Sequence, residues 1–201
     1  MYKVGITGGI GSGKTLVCRV FEQLGIPVFF ADEVAKILMI SDSILIEEVK
    51  NAFGNESYFG DGTLNNKWIA NIVFNNSAEL AKLNSMVHPS VFREFERWYR
   101  NVDNKVPYVL KEAALLFESG SDKLCDITVL VIAPLTLRLQ RVMERDKVSK
   151  EQVLARVEKQ FTDEHKASLA DFQITNDAAH SLIEQVLALH NQFLKTATAN
   201  K

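Results

Sequence analysis

Apolar and polar positions divide the chain into short buried runs and longer stretches with helical spacing. Residues 4–7, 27–31, 108–110 and 127–132 are apolar segments bounded by turn signals, and 172–175 is a shorter, weaker fifth. Continuous apolarity, as opposed to strict alternation, predicts strands covered on both faces, as in a parallel sheet. Residues 14–24 place Val17, Val20, Phe21 and Leu24 on one helical face, and Gly25 supplies a C-terminal stop. The first 32 residues therefore form a strand, a loop, a helix and a second strand.

Residues 33–104 contain helical patterns and no comparable strand run, which predicts a helical insertion. One of its helices is expected to open at Pro89, a favoured first position, with Phe92, Phe95, Trp98 and Tyr99 following. Ser149 and Gln152 have the spacing of a capping box, so a helix should run from there toward Gln160. A last helix is expected over 177–195, with 196–201 as a frayed tail.

Composition narrows the class. The 201 residues suit one generous domain with insertions, and 47% hydrophobic with 24% charged residues is ordinary for a folded globular chain. A net charge of −2 without a long basic run disfavours nucleic acid as the main partner. Cys18 and Cys125 form no disulfide framework or zinc-like cluster, which points to a reducing compartment. The N-terminal residues pass directly into a motif, leaving no room for a signal peptide, and no apolar run approaches membrane-spanning length. The expectation is a cytoplasmic protein with no membrane association and no obligate protein partner.

The motif is Gly8-Gly9-Ile10-Gly11-Ser12-Gly13-Lys14-Thr15, which satisfies G-x-x-x-x-G-K-[ST] between a predicted strand and a predicted helix. Glycines let the backbone turn tightly and bring N–H groups onto phosphate oxygens, and the positive end of the following helix adds a favourable dipole. In such a loop Lys14 reaches the β- and γ-phosphates, Thr15 offers its hydroxyl to Mg²⁺, and the Leu16 amide faces the α-phosphate. Gly9, Gly11, Ser12 and Gly13 complete the expected ATP-binding set. The spacing does not fit G-x-G-x-x-G, so a dinucleotide fingerprint is not supported.

No Asp has Gly three residues on, and Asn66-Lys67 and Asn104-Lys105 lack the Asp of a guanine reader, which argues against a GTPase. The long run 127–132 ends in Ala133-Pro134 with no acid there, which argues against a motor or transporter ATPase. Small kinases remain, and these need an acceptor site, a carboxylate near the acceptor hydroxyl and a lid carrying arginines. Asp32 ends the second apolar run, where it can orient and deprotonate an acceptor hydroxyl, bind Mg²⁺ through water, or serve as an ordinary helix N-cap. Arg138, Arg141 and Arg145 share a helical face and Arg156 follows on the next helix. They suit a phosphate lid or a solvated face paired with Glu144 and Asp146. His88 reads either as an acceptor contact or as a residue capping the Pro89 helix, and Glu118 either contacts the acceptor or caps Ser119-Gly120. The aromatic row after Pro89 is more often core than a ligand platform.

Thr7 to Lys14, Ala31-Asp32, His88-Pro89 and Leu115-Leu116-Phe117-Glu118 together resemble the dephospho-coenzyme A kinase family. The resemblance continues through Arg141-Val142-Met143-Glu144-Arg145-Asp146, Gln160 and the segment 171–177, covering nearly the whole chain. It implies an α/β fold with a three-layer αβα P-loop core, a five-stranded parallel sheet like that of nucleoside monophosphate kinases, a helical acceptor insertion at about 33–104 and a helical lid at about 135–165. It further implies transfer of the ATP γ-phosphate to the ribose 3′-hydroxyl of dephospho-coenzyme A with Mg²⁺, the last step of coenzyme A synthesis. Asp32 matches the family's base, Lys14 and Thr15 its phosphate and magnesium ligands, Arg141 and Arg145 its lid arginines, and Asn176 a position near the adenine. Two positions depart from the family pattern. Phe30 replaces the first of two acids at the second strand end, and Ala114 replaces a proline before the Leu-Leu pair. Other small-molecule kinases and a non-catalytic nucleotide-binding module are the alternatives.

Overall fold

Val4 and Ile6 point to one side of the first strand and are wholly buried, while Gly5 on the other side lies close under Leu116 and Cys125. Such a strand has to sit inside a sheet covered on both faces. The computed structural model describes residues 1–74 and 76–199. In chain order the elements are β1 (Tyr2–Thr7), α1 (Lys14–Gln23), β2 (Val28–Phe30), α2 (Ala31–Ser41), α3 (Ser43–Phe53), α4 (Asn66–Val73), α5 (Ser77–Asn101) and β3 (Tyr108–Glu112). They continue with β4 (Ile127–Ile132), α6 (Leu135–Asp146), α7 (Lys150–Val157), α8 (Asp163–Leu169), β5 (Phe172–Thr175) and α9 (Leu182–Ala199). The chain forms two compact units, Met1–Phe30 with the chain from Val102 onward, and Ala31–Asn101.

The first unit is built on a five-stranded sheet in the order β2-β3-β1-β4-β5, with every pair parallel. Parallel strands of one sheet need crossover connections, and α1 supplies the one from β1 to β2, with β3 inserted between them in the sheet. On one face Val4, Ile6, Leu110, Val129, Val131 and Ile174 pack with Val17, Cys18 and Phe21 of α1 and Val186, Leu189 and Phe193 of α9. The other face carries α8 against β4 and the segment after β3 around Leu116. Each large side chain so buried contributes about 1.5–3 kcal/mol.

The strands match the apolar runs with informative differences. β3 does not stop at Leu110 but continues through Lys111 and Glu112, both buried. Polarity hid this extension. Ala31 opens α2 instead of closing β2. The Ser149–Gln152 capping box forms as predicted, Ser149 N–H donating to Gln152 Oε1 at 3.0 Å and Gln152 N–H to Ser149 Oγ at 3.4 Å, although α7 ends at Val157. The last helix starts five residues later than predicted, at Leu182, because the Asp177 carboxylate accepts from the Ala179 and His180 N–H groups and holds a turn there. It also continues past 195, since Phe193 and Ala197 bury four residues apart on its inner face. Residues 200–201 of the expected tail lie outside the described residues.

In the second unit Met39, Leu45, Val49, Phe53, Tyr58 and Ile69 form the core. Asp42 caps α3 by accepting from Ile44 N–H at 3.0 Å and also receives Ser90 and Arg93 of α5, contacts that hold its carboxyl below the usual range. Pro89 does not open a helix. It lies inside the continuous α5, where its missing N–H removes one intrahelical bond, and packing of α5 against α2, α3 and α4 carries the helix through. The aromatic row belongs largely to packing, with Phe95 fully buried and stacked on Trp98 at 6.0 Å. Among the described residues no helix is long and apolar enough to cross a membrane.

One polar pair sits beside the main core. The Tyr108 hydroxyl lies 2.6 Å from His190 Nδ1, with Tyr108 packed edge-on against Phe21 and Phe193. Burial pushes the Tyr108 phenol up, so it keeps its proton and donates to the unprotonated ring nitrogen, and burial lowers His190 below its ordinary 6.5. In the unfolded chain His190 gains a proton near pH 6.5, so folding stability is fully present above that pH and declines as the pH falls toward the lowered folded value. His190→Gln keeps an acceptor without a titrating group. Thermal melts at pH 7.5 and 5.5 should show a smaller drop for this variant than for the parent, and equal drops would remove His190 as the source.

Candidate active site

The glycine loop connects β1 at the centre of the sheet to α1. Its shape follows from local sequence. Gly13 takes the left-handed conformation (φ 95°) at the N-cap of α1, and no side chain caps that helix start. The first turn of α1 also carries no acidic residue. The amides that open a helix have no intrahelical acceptor, so this end presents donors and a positive dipole. Lys14 is 8% exposed, with Nζ donating to the Gly8 carbonyl at 3.0 Å and lying 3.9 Å from Glu112 Oε1. Thr15 and Leu16 are exposed, and Ser12 Oγ is buried without a hydrogen-bond partner among the described residues.

Glu112 is a site residue that the sequence reading missed. It ends β3, directly beside β1, in register with Ile6 and Phe30. The polar pair Lys111-Glu112 interrupts the apolar run after Leu110 and so hides the end of the strand and its acid. An acid within two residues of any short apolar run was the available signal.

The arginines of α6 separate by environment. Arg138 is only 4% exposed, so the solvated-face alternative fails for it. Its Nε donates to the Ile10 carbonyl at 2.9 Å and its Nη1 pairs with Asp163 Oδ2 at 2.5 Å. Arg141 also reaches the loop, 3.4 Å from the Gly11 carbonyl, and contacts the Asn176 carbonyl at the same distance. Arg145 is exposed and paired with Asp146 at 2.7 Å, where Arg156 joins it at 2.8 Å. The two guanidiniums lower the Asp146 carboxyl to about 2.

Asn176, at the end of β5, is buried and donates its amide to the Ser12 carbonyl at 2.7 Å. Gln160 accepts from the Ile10 N–H at 2.9 Å. Glu118 does not cap Ser119-Gly120. Its Oε1 accepts from the Phe161 N–H and from the fully buried Lys166 ammonium, both at 2.9 Å. Pairing with this buried ammonium occupies Oε1 of Glu118, and Oε2 is buried without a hydrogen-bond partner among the described residues.

Asp32 and His88 belong to the second unit. Asp32 is exposed in the first turn of α2, one residue inside the helix and so not its N-cap. His88 lies inside α5, half-buried and stacked on Phe92 at 6.2 Å, which corrects its expected place at a helix cap. Among the described residues no group of three His, Cys, Asp or Glu side chains forms a metal cage.

So many donors converging on one loop suit a polyanion, and in an open parallel sheet ligands bind beyond the carboxyl ends of the central strands. The strand order and this loop define the class as a P-loop kinase. The dephospho-CoA kinase family model matches residues 2–181. Dephospho-CoA kinase of Salinibacter ruber is 43% identical over 178 residues, covering 88% of this chain and 89% of that one. A solved structure from Thermus thermophilus matches with a TM-score of 0.83 and 34% identity over 95% of this chain and 96% of that one. Dephospho-CoA kinase from Campylobacter jejuni matches with a TM-score of 0.69 and 25% identity over 99% and 98%. The chain belongs to the dephospho-CoA kinase family, and it is a phosphotransferase with an alcohol acceptor.

The bracing of the loop is testable without substrate. A Cβ on Gly13 would come within 2.0 Å of Asn176 Nδ2, whereas one on Gly25, also at positive φ, would meet nothing within 4 Å. Gly25→Ala should lose about 1–2 kcal/mol, the left-handed backbone cost. Gly13→Ala should lose more in urea unfolding, since Asn176 must also leave the Ser12 carbonyl. Equal losses would show that Asn176 gives way freely.

Proposed function

We propose that the protein transfers the γ-phosphate of ATP to the ribose 3′-hydroxyl of dephospho-coenzyme A, releasing ADP and coenzyme A, and that it works in the cytoplasm. The observation that carries this reading is the Lys14 ammonium buried beneath an uncapped helix start, with Arg141 beside the same loop. Family membership supports the acceptor. The loop amides from Gly9 to Leu16 cradle the phosphates, and Lys14 exchanges part of its hold on the Gly8 carbonyl for phosphate oxygens. Arg141 adds charge where the transferring group becomes most anionic, and Arg145 joins it by leaving Asp146. Asn176 holds the Ser12 carbonyl and lines the nucleotide side.

Magnesium in such sites takes most of its ligands from phosphates and water. The exposed Thr15 hydroxyl fits that need, and when bound the ion neutralises charge on the β- and γ-oxygens. The unit Ala31–Asn101 serves as the acceptor insertion and the segment around α6 and α7 as the lid. Asp32 acts as general base. Its carboxylate takes the proton of the 3′-hydroxyl as that oxygen bonds to the γ-phosphorus, while the bond from phosphorus to the β–γ bridging oxygen breaks and ADP leaves. His88 contributes to the acceptor side from α5.

ADP release coupled to a spectroscopic readout, with dephospho-coenzyme A present or absent, tests the reaction. Acceptor-dependent ADP is expected, and none would sink it. Asp32→Asn should keep ATP binding while turnover falls by roughly 10²–10⁴. Near-normal turnover would take Asp32 out of the mechanism.

A further inference from the structure

Ile10 is the one apolar side chain between the first glycine of the loop and its lysine, and it is held from three directions. Its side chain packs into the small cluster of Leu139 and Val142 from α6 and Val153 from α7, with Val148 and Leu154 alongside. Its N–H donates to Gln160 Oε1 and its carbonyl accepts from Arg138 Nε, both at 2.9 Å and both from residues more than a hundred positions away. Those partners are anchored in turn. Arg138 is paired with Asp163, and Glu118 fastens Phe161 and Lys166, so the stretch following Gln160 is tied down on both sides.

The backbone explains why this grip matters. Ser12 N–H donates to the Gly9 carbonyl at 3.0 Å, which makes residues 9–12 a β-turn. Gly11 has φ 78°, and Lys147 is the only non-glycine at positive φ among the described residues, so the turn is type II with Ile10 and Gly11 at its centre. Types I and II differ by a flip of that central peptide, and glycine at the third position tolerates either. In a trans peptide the carbonyl and the next N–H point in opposite directions. With Arg138 holding the Ile10 carbonyl, the Gly11 N–H faces away from Arg138. Gln160 pins the preceding peptide in the same way.

We infer that Gln160 and Arg138 are positioning residues for the phosphate donor: they lock the two peptides flanking Ile10, so the Gly11 amide is aimed before nucleotide arrives. Neither touches the reacting atoms in this role. A glycine-rich loop loses much conformational freedom on ordering, and holding it in advance lowers the cost of binding. The packing of Ile10 on α6 and α7 links the loop's shape to the same helical hairpin. The inference rests on the loop being the ATP site.

Gln160→Leu removes the acceptor at similar size, and Arg138→Lys keeps the charge while losing the guanidinium fork. ATP titration of both variants beside the parent, with KM measured for each substrate, separates the possibilities. Gln160→Leu should weaken ATP binding about tenfold and raise KM for ATP, leaving KM for dephospho-coenzyme A within twofold, with Arg138→Lys weaker still. Amide exchange followed by NMR in the nucleotide-free protein gives a readout apart from activity, and the Ile10 N–H should exchange at least ~10-fold faster in Gln160→Leu. Unchanged ATP affinity in both folded variants, an unchanged Ile10 exchange rate, or equal rises in both KM values would overturn the inference. If the parent itself fails to bind ATP, the donor-site reading fails instead.

Discussion

A buried positive charge that must keep a partner in the absence of substrate is the constraint around which the larger unit is built. Lys14 lies almost wholly within the protein, where an unpaired ammonium would cost several kcal/mol. The Gly8 carbonyl and the Glu112 carboxylate offset that cost, one from the loop itself and one from the neighbouring strand. Arg138 and Arg141 are held similarly, on carbonyls of Ile10, Gly11 and Asn176 and on the Asp163 carboxylate. Most of these partners are neutral dipoles. These three cations therefore keep a surplus of positive charge for a polyanion while each has a hydrogen-bond partner in the folded protein.

The same arrangement makes the loop a structural junction. Gly13 approaches the Asn176 amide, and Gly9 would direct a Cβ into the Arg138 guanidinium at 2.1 Å. At these positions side chains from distant parts of the chain occupy the space a Cβ would take, and at Gly13 the positive φ adds a backbone cost. The phosphate-binding shape thus depends on β5 and α6 as much as on the loop sequence. The pair formed by Glu118 and Lys166 does comparable work on the other face of the sheet, fastening α8 to the segment that follows β3.

The second unit follows a simpler logic. Its core is apolar, Asp42 caps α3 and Asn65 caps α4, and its one internal proline is absorbed by packing. Helical periodicity made it recognisable as helical, but the point where α5 begins was not legible. Proline is common at a first helical position and costly in the middle of a helix, and only contacts with α2, α3 and α4 reverse that local preference.

The sequence alone determined the loop, the strands that frame it and the parallel sheet, because these depend on local features: glycine spacing, an adjacent lysine and apolar runs long enough to be covered on both faces. It also carried the family, through the order of short segments along the whole chain. Tertiary structure decided which charges are buried against the loop and which pair at the surface. Arg138 and Arg145 share a helix and look alike in sequence, yet one is buried against the loop and the other pairs at the surface with Asp146. Glu112 lay beyond the apolar run that marked its strand, and Glu118 reads in sequence as an acceptor contact or a cap, whereas it pairs with the buried Lys166. A charged side chain's role is set by what lies within a few ångströms of it, and those neighbours come from residues far away along the chain.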